Sequence, residues 1–334
     1  SMAFDDLGLI WMPQQAKPEN SLVVLRNFEH PESKTKNGRG KKIDLSVPEA
    51  PEVNQYRSQL YNQFLLKHCI SLELDDDNLN NLALEMINKP KEDRETWETE
   101  EERVNCLDVR RLQLRRIFSR GSLEKGGRFY GGFWQTLPSR YRPHLRIDGY
   151  QTTEIDYSSV ALRIIYAKEG MELPDDQDLY DIGLPNWEPG SDPRRKIIKT
   201  YVNAILNDER GNYRLSPEKQ KATGVTPKQL HELVLQRHKP ISHLFNSGIG
   251  LDTQFIDSKI AEGVMLSLMH EEVVVLPIHD SFIVRAGYAE WLREDMKRVF
   301  RELIDKDVSL TLMVTPYTKN WNTNLNKFKL EKSI

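Results

Sequence analysis

The sequence predicts an α+β fold in which a small antiparallel sheet, built from hairpins, is flanked by amphipathic helices. Three observations predict it. Two strand-rich stretches, 145–156 and 273–284, each bend once, at Asp148-Gly149 in the first and at His279-Asp280 in the second. Helical patterns fall between and around them, over 54–66, 192–206, 253–269 and 289–304. Each strand-rich stretch also carries one aspartate, Asp156 or Asp280, at a strand end, where a side chain faces solvent or a ligand.

In chain order, residues 3–20 contain Pro13 and Pro18 with no clear period and read as a loose lead-in. Residues 22–25 predict a short strand, and 34–42 a glycine-containing basic loop, which is either a solvated turn or a phosphate contact. Tyr56, Leu60, Tyr61, Phe64 and Leu65 mark the helix over 54–66; a polar-rich helix over 77–87 ends before Lys89-Pro90. From 96 to 118 the period is again helical, with Val104, Leu107, Leu112, Leu114 and Ile117 apolar. Arg110, Arg111, Arg115, Arg116 and Arg120 crowd its other faces, as solvated charges or as nucleic-acid backbone contacts. Residues 1–120 therefore read as a mostly helical region.

The stretch from Gly126 to Pro138 holds four glycines, Arg128, and the aromatics Phe129, Tyr130, Phe133 and Trp134. Glycines allow close backbone approach to a ligand, and an arginine among aromatics suits a groove, although packed loops share this composition. After the 145–156 hairpin, a helix is expected from Asp156 to Glu169, closed by Gly170. Asp192-Pro193 begins the next one, with Asp as cap and Pro as first residue. Arg195 and Lys199 lie four apart on it, so they project from one side. Two stacked cations with no acid between them suit an anionic ligand or a solvated surface. Thr226-Pro227 opens a helix to Gln236, and the long helix over 253–269 precedes the Asp280 hairpin. The helix over 289–304, a strand over 308–314 and a polar tail after Trp321 complete the chain.

At 334 residues, 38% hydrophobic and 29% charged, the composition is that of a soluble globular protein with a well-buried core. No apolar run approaches a membrane span, so no membrane partner is expected, and with only two cysteines a reducing cytoplasm is the default expectation. Two cysteines, Cys69 and Cys106, exclude a disulfide framework and a cysteine-rich metal site. The net charge of −3 argues against nucleic acid only globally, because cations cluster at 110–120 and at Arg194, Arg195, Lys196 and Lys199. Acids concentrate elsewhere, at 75–77 and 98–102.

Three segments in order resemble the palm and fingers motifs of family A DNA polymerases and phage-type single-subunit RNA polymerases. They are Asp156-Tyr157-Ser158-Ser159-Val160-Ala161-Leu162-Arg163, then Arg195-Lys196-Ile197-Ile198-Lys199 with Val202 and Asn207, and then His279-Asp280-Ser281-Phe282. The last is closer to the RNA-polymerase form than to His-Asp-Glu. Flanking segments are similar too: Gly127-Arg128 with Gln135-Thr136-Leu137-Pro138, and Asn320-Trp321. The resemblance covers about 121–321, and no 3′-5′ exonuclease motif precedes it.

The resemblance implies a right-hand polymerase fold with an antiparallel palm sheet. It divides the chain into a reduced thumb-like region over 1–120, palm over 121–180, fingers over 181–250, and palm with a tail over 251–334. It implies a template-directed nucleotidyltransferase, in the first place a DNA polymerase with relaxed sugar selection. Asp156, Asp280 and the Tyr157 carbonyl would hold two Mg2+ ions, or Mn2+. Arg195 and Lys199 would bind the incoming nucleoside triphosphate, with Lys199 as general acid. Arg128, Gln135, His279, Arg115 and Arg116 would contact primer-template nucleic acid, most simply on a DNA template. The implied protein is a monomer in a bacterial or phage-infected cell.

Departures bear on substrate choice. Ala161 stands where the DNA enzymes have a glutamate that blocks the ribose 2′-hydroxyl, and Asn203 and Asn207 stand where aromatics are expected. An RNA polymerase or primase, a catalytically inactive nucleic-acid-binding relative, and a metal-dependent hydrolase using the same aspartates are the competing readings.

Overall fold

The computed structural model describes residues 23–27, 41–43, 51–88, 107–171, 173, 178–209, 211, 215–304 and 312–315. The expected lead-in, most of the basic loop, the 98–102 acidic run, Cys106 and the tail with Asn320-Trp321 lie outside them.

The organising unit is a six-stranded sheet of β3 (Ile70–Leu72), β6 (Leu145–Ile147), β7 (Tyr150–Tyr157), β9 (Ser281–Arg285) and β8 (Val275–Ile278), in that order, with β10 (Leu312–Thr315) beside β7. All its pairings are antiparallel. β7 is therefore internal: Glu154 to Tyr157 pair with β10 on one side, while Thr152 to Asp156 pair with β9 on the other. A second sheet has the order β2 (Lys41–Ile43), β1 (Val23–Asn27), β4 (Arg115–Ser119), β5 (Ser122–Tyr130), with β1 and β4 parallel.

The helices are α1 (Pro51–Leu65), α2 (Asp76–Asn88), α3 (Phe133–Thr136), α4 (Val160–Lys168), α5 (Arg195–Asn207), α6 (Pro217–Thr223), α7 (Pro227–Arg237), α8 (Gly250–His270) and α9 (Ala289–Ile304). One core joins the six-stranded sheet to α8 and α9, with Trp134, Tyr157, Phe282 and Phe300 fully buried. A second core lies between α4, α5 and α7, around Leu162, Ile198, Val202, Leu230 and Val234. α4 belongs to both, because Val160 and Ile164 face the first core while Leu162 and Ile165 face the second. That double burial fixes the helix directly after Asp156.

Most expected elements form, including the Asp148-Gly149 and His279-Asp280 hairpins and the α7 capping box on Thr226 and Gln229. The helix expected over 96–118 does not form over its described part: 107–114 is irregular and 115–119 is the central strand β4. Leu114, Ile117 and Phe118 are buried by pairing and packing rather than by a helical stripe. The described residues among the first 120 are thus mixed strand and helix. The helix expected from Asp192 begins three residues later. Asp192 instead accepts from the Arg194 N–H at 2.8 Å and pairs with its guanidinium, closing a turn ahead of α5.

Candidate functional site

Asp156 lies near the carboxyl end of β7, and Asp280 at the tip between β8 and β9. Asp156 is directly opposite Ser281, and the Tyr157 N–H donates to the Asp280 carbonyl oxygen at 3.1 Å. Two acids distant in sequence thus meet at the end of adjacent strands. The tip is tight: His279 adopts φ 54°, a left-handed conformation uncommon for a non-glycine residue.

Burial, and then the neighbouring charge of Asp280, push the Asp156 carboxyl up to about 8, opposed by the nearby Lys199 cation. Its Oδ1 is buried and has no hydrogen-bond partner among the described residues. Such a group asks for a cation or a polar ligand. Glu154, two residues back and on the same face of β7, is occupied otherwise: it pairs with Arg142 at 3.0 Å and accepts from the Ser281 hydroxyl at 2.6 Å. Tyr157 sends its side chain into the core, where its hydroxyl donates to the Met296 carbonyl at 2.7 Å. Only its backbone borders the two acids.

Lys199 sits one turn after Arg195 on α5, half-buried and without an ion pair among the described residues. Arg195 is held from behind: its Nε lies 3.1 Å from both Asp178 carboxylate oxygens, and its guanidinium stacks on Tyr180 at 4.8 Å. Ala161 is half-buried in the first turn of α4 and packs against the second core. Asn207 donates to the Asn203 carbonyl at 2.7 Å and its side-chain oxygen accepts from Gln254 on α8, which ties the end of α5 to α8.

Arg128 on β5 donates from Nε to the buried Asp257 of α8 at 2.7 Å. Arg128 and His279 line one recess with Phe129, Ser258, Ala261 and Pro277. Burial, and then the Arg128 charge, hold His279 down to about 4, so its ring is neutral near neutrality. Its Nδ1 is buried without a hydrogen-bond partner among the described residues, and its ring meets Tyr130 edge-on at 5.2 Å.

Three of the expected nucleic-acid contacts lie inside the protein. Gln135 donates to the Phe129 and Pro277 carbonyls at 3.0 and 2.9 Å and accepts from the Gly131 N–H, pinning the glycine-rich stretch to β8. Arg116 is fully buried, donating to the Gly127 carbonyl, the Ser258 hydroxyl and Glu262. Arg115, paired in register with Tyr130, is also buried. The exposed arginine-rich helix expected there is replaced by a strand whose side chains are covered.

Sequence reasoning missed Asp257 and Asp178. Asp257 had a usable signal: with Thr253, Ile260, Val264 and Leu268 it falls on the buried stripe of α8, where an acid needs a partner. Burial first pushes its carboxyl up, to about 6, against the pull of Arg128. Asp178, beside the proline-rich loop, had no periodic frame to mark it.

The donors fit a hard divalent cation. Magnesium takes one or two protein carboxylates and completes its shell with water and phosphate. Asp156 and Asp280 supply such a pair, and among the described residues no group of three or more acids, histidines or cysteines forms a protein-only metal cage. No helix of the described residues is long and apolar enough to cross a membrane.

No family model matches the chain, and no curated protein sequence matches it. Solved structures do match. One is the polymerase domain of Pol1 from M. smegmatis in complex with DNA primer-template and dNTP, at 12% identity and a TM-score of 0.40. The match covers 94% of this chain and 62% of that one, so the chain spans less than two thirds of that domain's length.

Proposed function

We propose that the chain is a template-directed nucleotidyltransferase with a right-hand palm and fingers, extending a primer on a DNA template from nucleoside triphosphates. One observation carries this reading: Asp156 and Asp280 meet at adjacent strand ends, with the Lys199 cation acting on Asp156 from α5. Asp156 and Asp280, with the Tyr157 carbonyl, would hold Mg2+, which when bound stabilises charge on the entering and leaving oxygens.

The chain's own residues do the rest. Arg195 and Lys199, one turn apart, face a triphosphate with two cations. Lys199 is the general acid for departing pyrophosphate. Arg128 and His279, which share one recess, position the primer end. The wall of core residues beneath Tyr157 keeps water from the back of the site.

A second reading, an RNA polymerase or primase, is favoured by Ala161. A methyl group in the first turn of α4 leaves room where a longer acid would bar a ribose hydroxyl.

A labelled primer–template incubated with each nucleotide type, and the template alone, test both readings. Extension lost on chelating divalent cations and in Asp156→Asn supports transfer. Shortening of the strand supports the hydrolase instead, and binding without extension supports an inactive relative.

A further inference from the structure

Two arginines border the candidate site, and both are gripped in the same way. Arg128 donates through Nε to Asp257 at 2.7 Å, and Arg195 through Nε to Asp178 at 3.1 Å. Both carboxylates are largely covered, with side chains 4% and 10% exposed. Nε is the rear donor of a guanidinium, whose two terminal amino groups form the front of a planar fork. A carboxylate that takes Nε leaves that front pair available, and neither guanidinium makes another hydrogen bond among the described residues. The forward environments differ. Arg128 feels the Asp280 charge and shares a recess with His279, whereas Arg195 stands one turn from Lys199.

We infer that Asp257 and Asp178 are positioning residues, each fixing the plane of one arginine so that its open fork addresses a phosphate or base-edge oxygen of the bound substrates. Arg128 is aimed at the primer–template end, and Arg195 at the triphosphate. The inference rests on the transfer reading for its ligands. An aimed fork recognises a planar or tetrahedral oxyanion through two parallel hydrogen bonds, which a lysine cannot do. An unaimed arginine loses side-chain freedom when it binds, and holding it beforehand removes that cost.

The test is a pair of double-mutant cycles on the full chain. For the first, primer–template affinity is measured by fluorescence anisotropy, which needs no catalysis. Arg128→Ala and Asp257→Ala are each expected to weaken binding by about tenfold or more, the scale of one charged hydrogen bond, and the double variant no further than Arg128→Ala. Asp257→Asn keeps an acceptor for Nε and should recover most of the affinity. For the second, Arg195→Ala and Asp178→Ala should raise the nucleotide KM together and non-additively while kcat changes less. Should a buried-acid variant fail to fold, Arg128→Lys replaces it: this keeps the charge without the fork, and it should bind as weakly as Arg128→Ala.

Additive cycles, or Arg128→Lys binding like wild type, would overturn the orienting role while extension by the wild type leaves the transfer reading standing. Coupled binding cycles without any extension reject transfer and keep the orienting role of Asp257. A wild-type chain that binds no primer–template rejects both.

Discussion

The backbone N–H of Tyr157 donates to the carbonyl oxygen of Asp280 at 3.1 Å, and that one hydrogen bond sets two acids side by side. Each side chain leaves the sheet at a neighbouring position, so neither is free to withdraw from the other's charge. Substituting either acid by its amide therefore separates function from stability. Asp156→Asn and Asp280→Asn are expected to lower primer extension by roughly a thousandfold or more, as removal of a principal charge-stabilising group does. Thermal unfolding should show Asp156→Asn melting no lower than wild type, because the cost of burying a titratable acid beside the Asp280 charge has gone. A variant that loses both activity and several degrees of Tm would indicate a structural acid.

Ala161→Glu places a carboxylate in the first turn of α4, at a half-buried position. The ratio of deoxynucleotide to ribonucleotide incorporation is expected to rise by about tenfold or more, the scale on which one steric or polar contact discriminates. Single-nucleotide incorporation kinetics with each sugar measure it. An unchanged ratio removes Ala161 from sugar selection.

His238 gives the fold a pH dependence. It is 1% exposed, its Nε2–H donates to the Leu179 carbonyl at 3.0 Å, and its Nδ1 accepts from the Tyr166 hydroxyl at 3.0 Å. Burial, with Arg237 adding to it, holds the imidazole at about 4 instead of 6.5. As pH falls through 6.5 the unfolded chain takes up a proton that the folded chain refuses until about 4, so stability declines over that window. The full loss is about 3 kcal/mol. Urea midpoints at pH 7 and pH 4.5 should differ less in His238→Gln than in wild type.

Gly127 has φ +79°, and a Cβ there would lie 2.6 Å from the Phe118 ring. Its carbonyl also accepts from Arg116 Nε at 2.9 Å. Gly127→Ala is expected to cost about 1–3 kcal/mol through left-handed strain and overpacking. Gly149→Ala, at φ +77° with nothing within 4 Å, should cost less; chemical denaturation of the two ranks them.

What could be read in the sequence tracks how local its cause is. The hairpin turns at Asp148-Gly149 and His279-Asp280 are written in adjacent residues, so both acids could be placed at strand ends from sequence. The Thr226 cap on α7 is local in the same sense. β4 is different: Leu114 and Ile117 are three apart, a spacing that suits a helix, and only pairing with β1 and β5 makes them strand residues. Arg116 misled for a related reason. An isolated arginine reads as a surface charge, yet Glu262 and Ser258, which bury it, come more than a hundred residues later on α8. The pairings of Arg128 and Arg195 were illegible likewise: Asp257 stands out as an acid on a buried helical stripe, but nothing local joins it to Arg128, and Asp178 has no periodic frame at all.

β10 pairs Met313 with Asp156 and Leu312 with Tyr157, so the segment that carries the first acid has a neighbour on both flanks. Cutting the chain ahead of residue 312 would bare a row of amide and carbonyl groups alongside that acid, a ready template for another molecule's strand. Shortened versions should therefore cluster and precipitate before their chemistry can be judged, and a loss of catalysis in them would report on solubility rather than on the reaction.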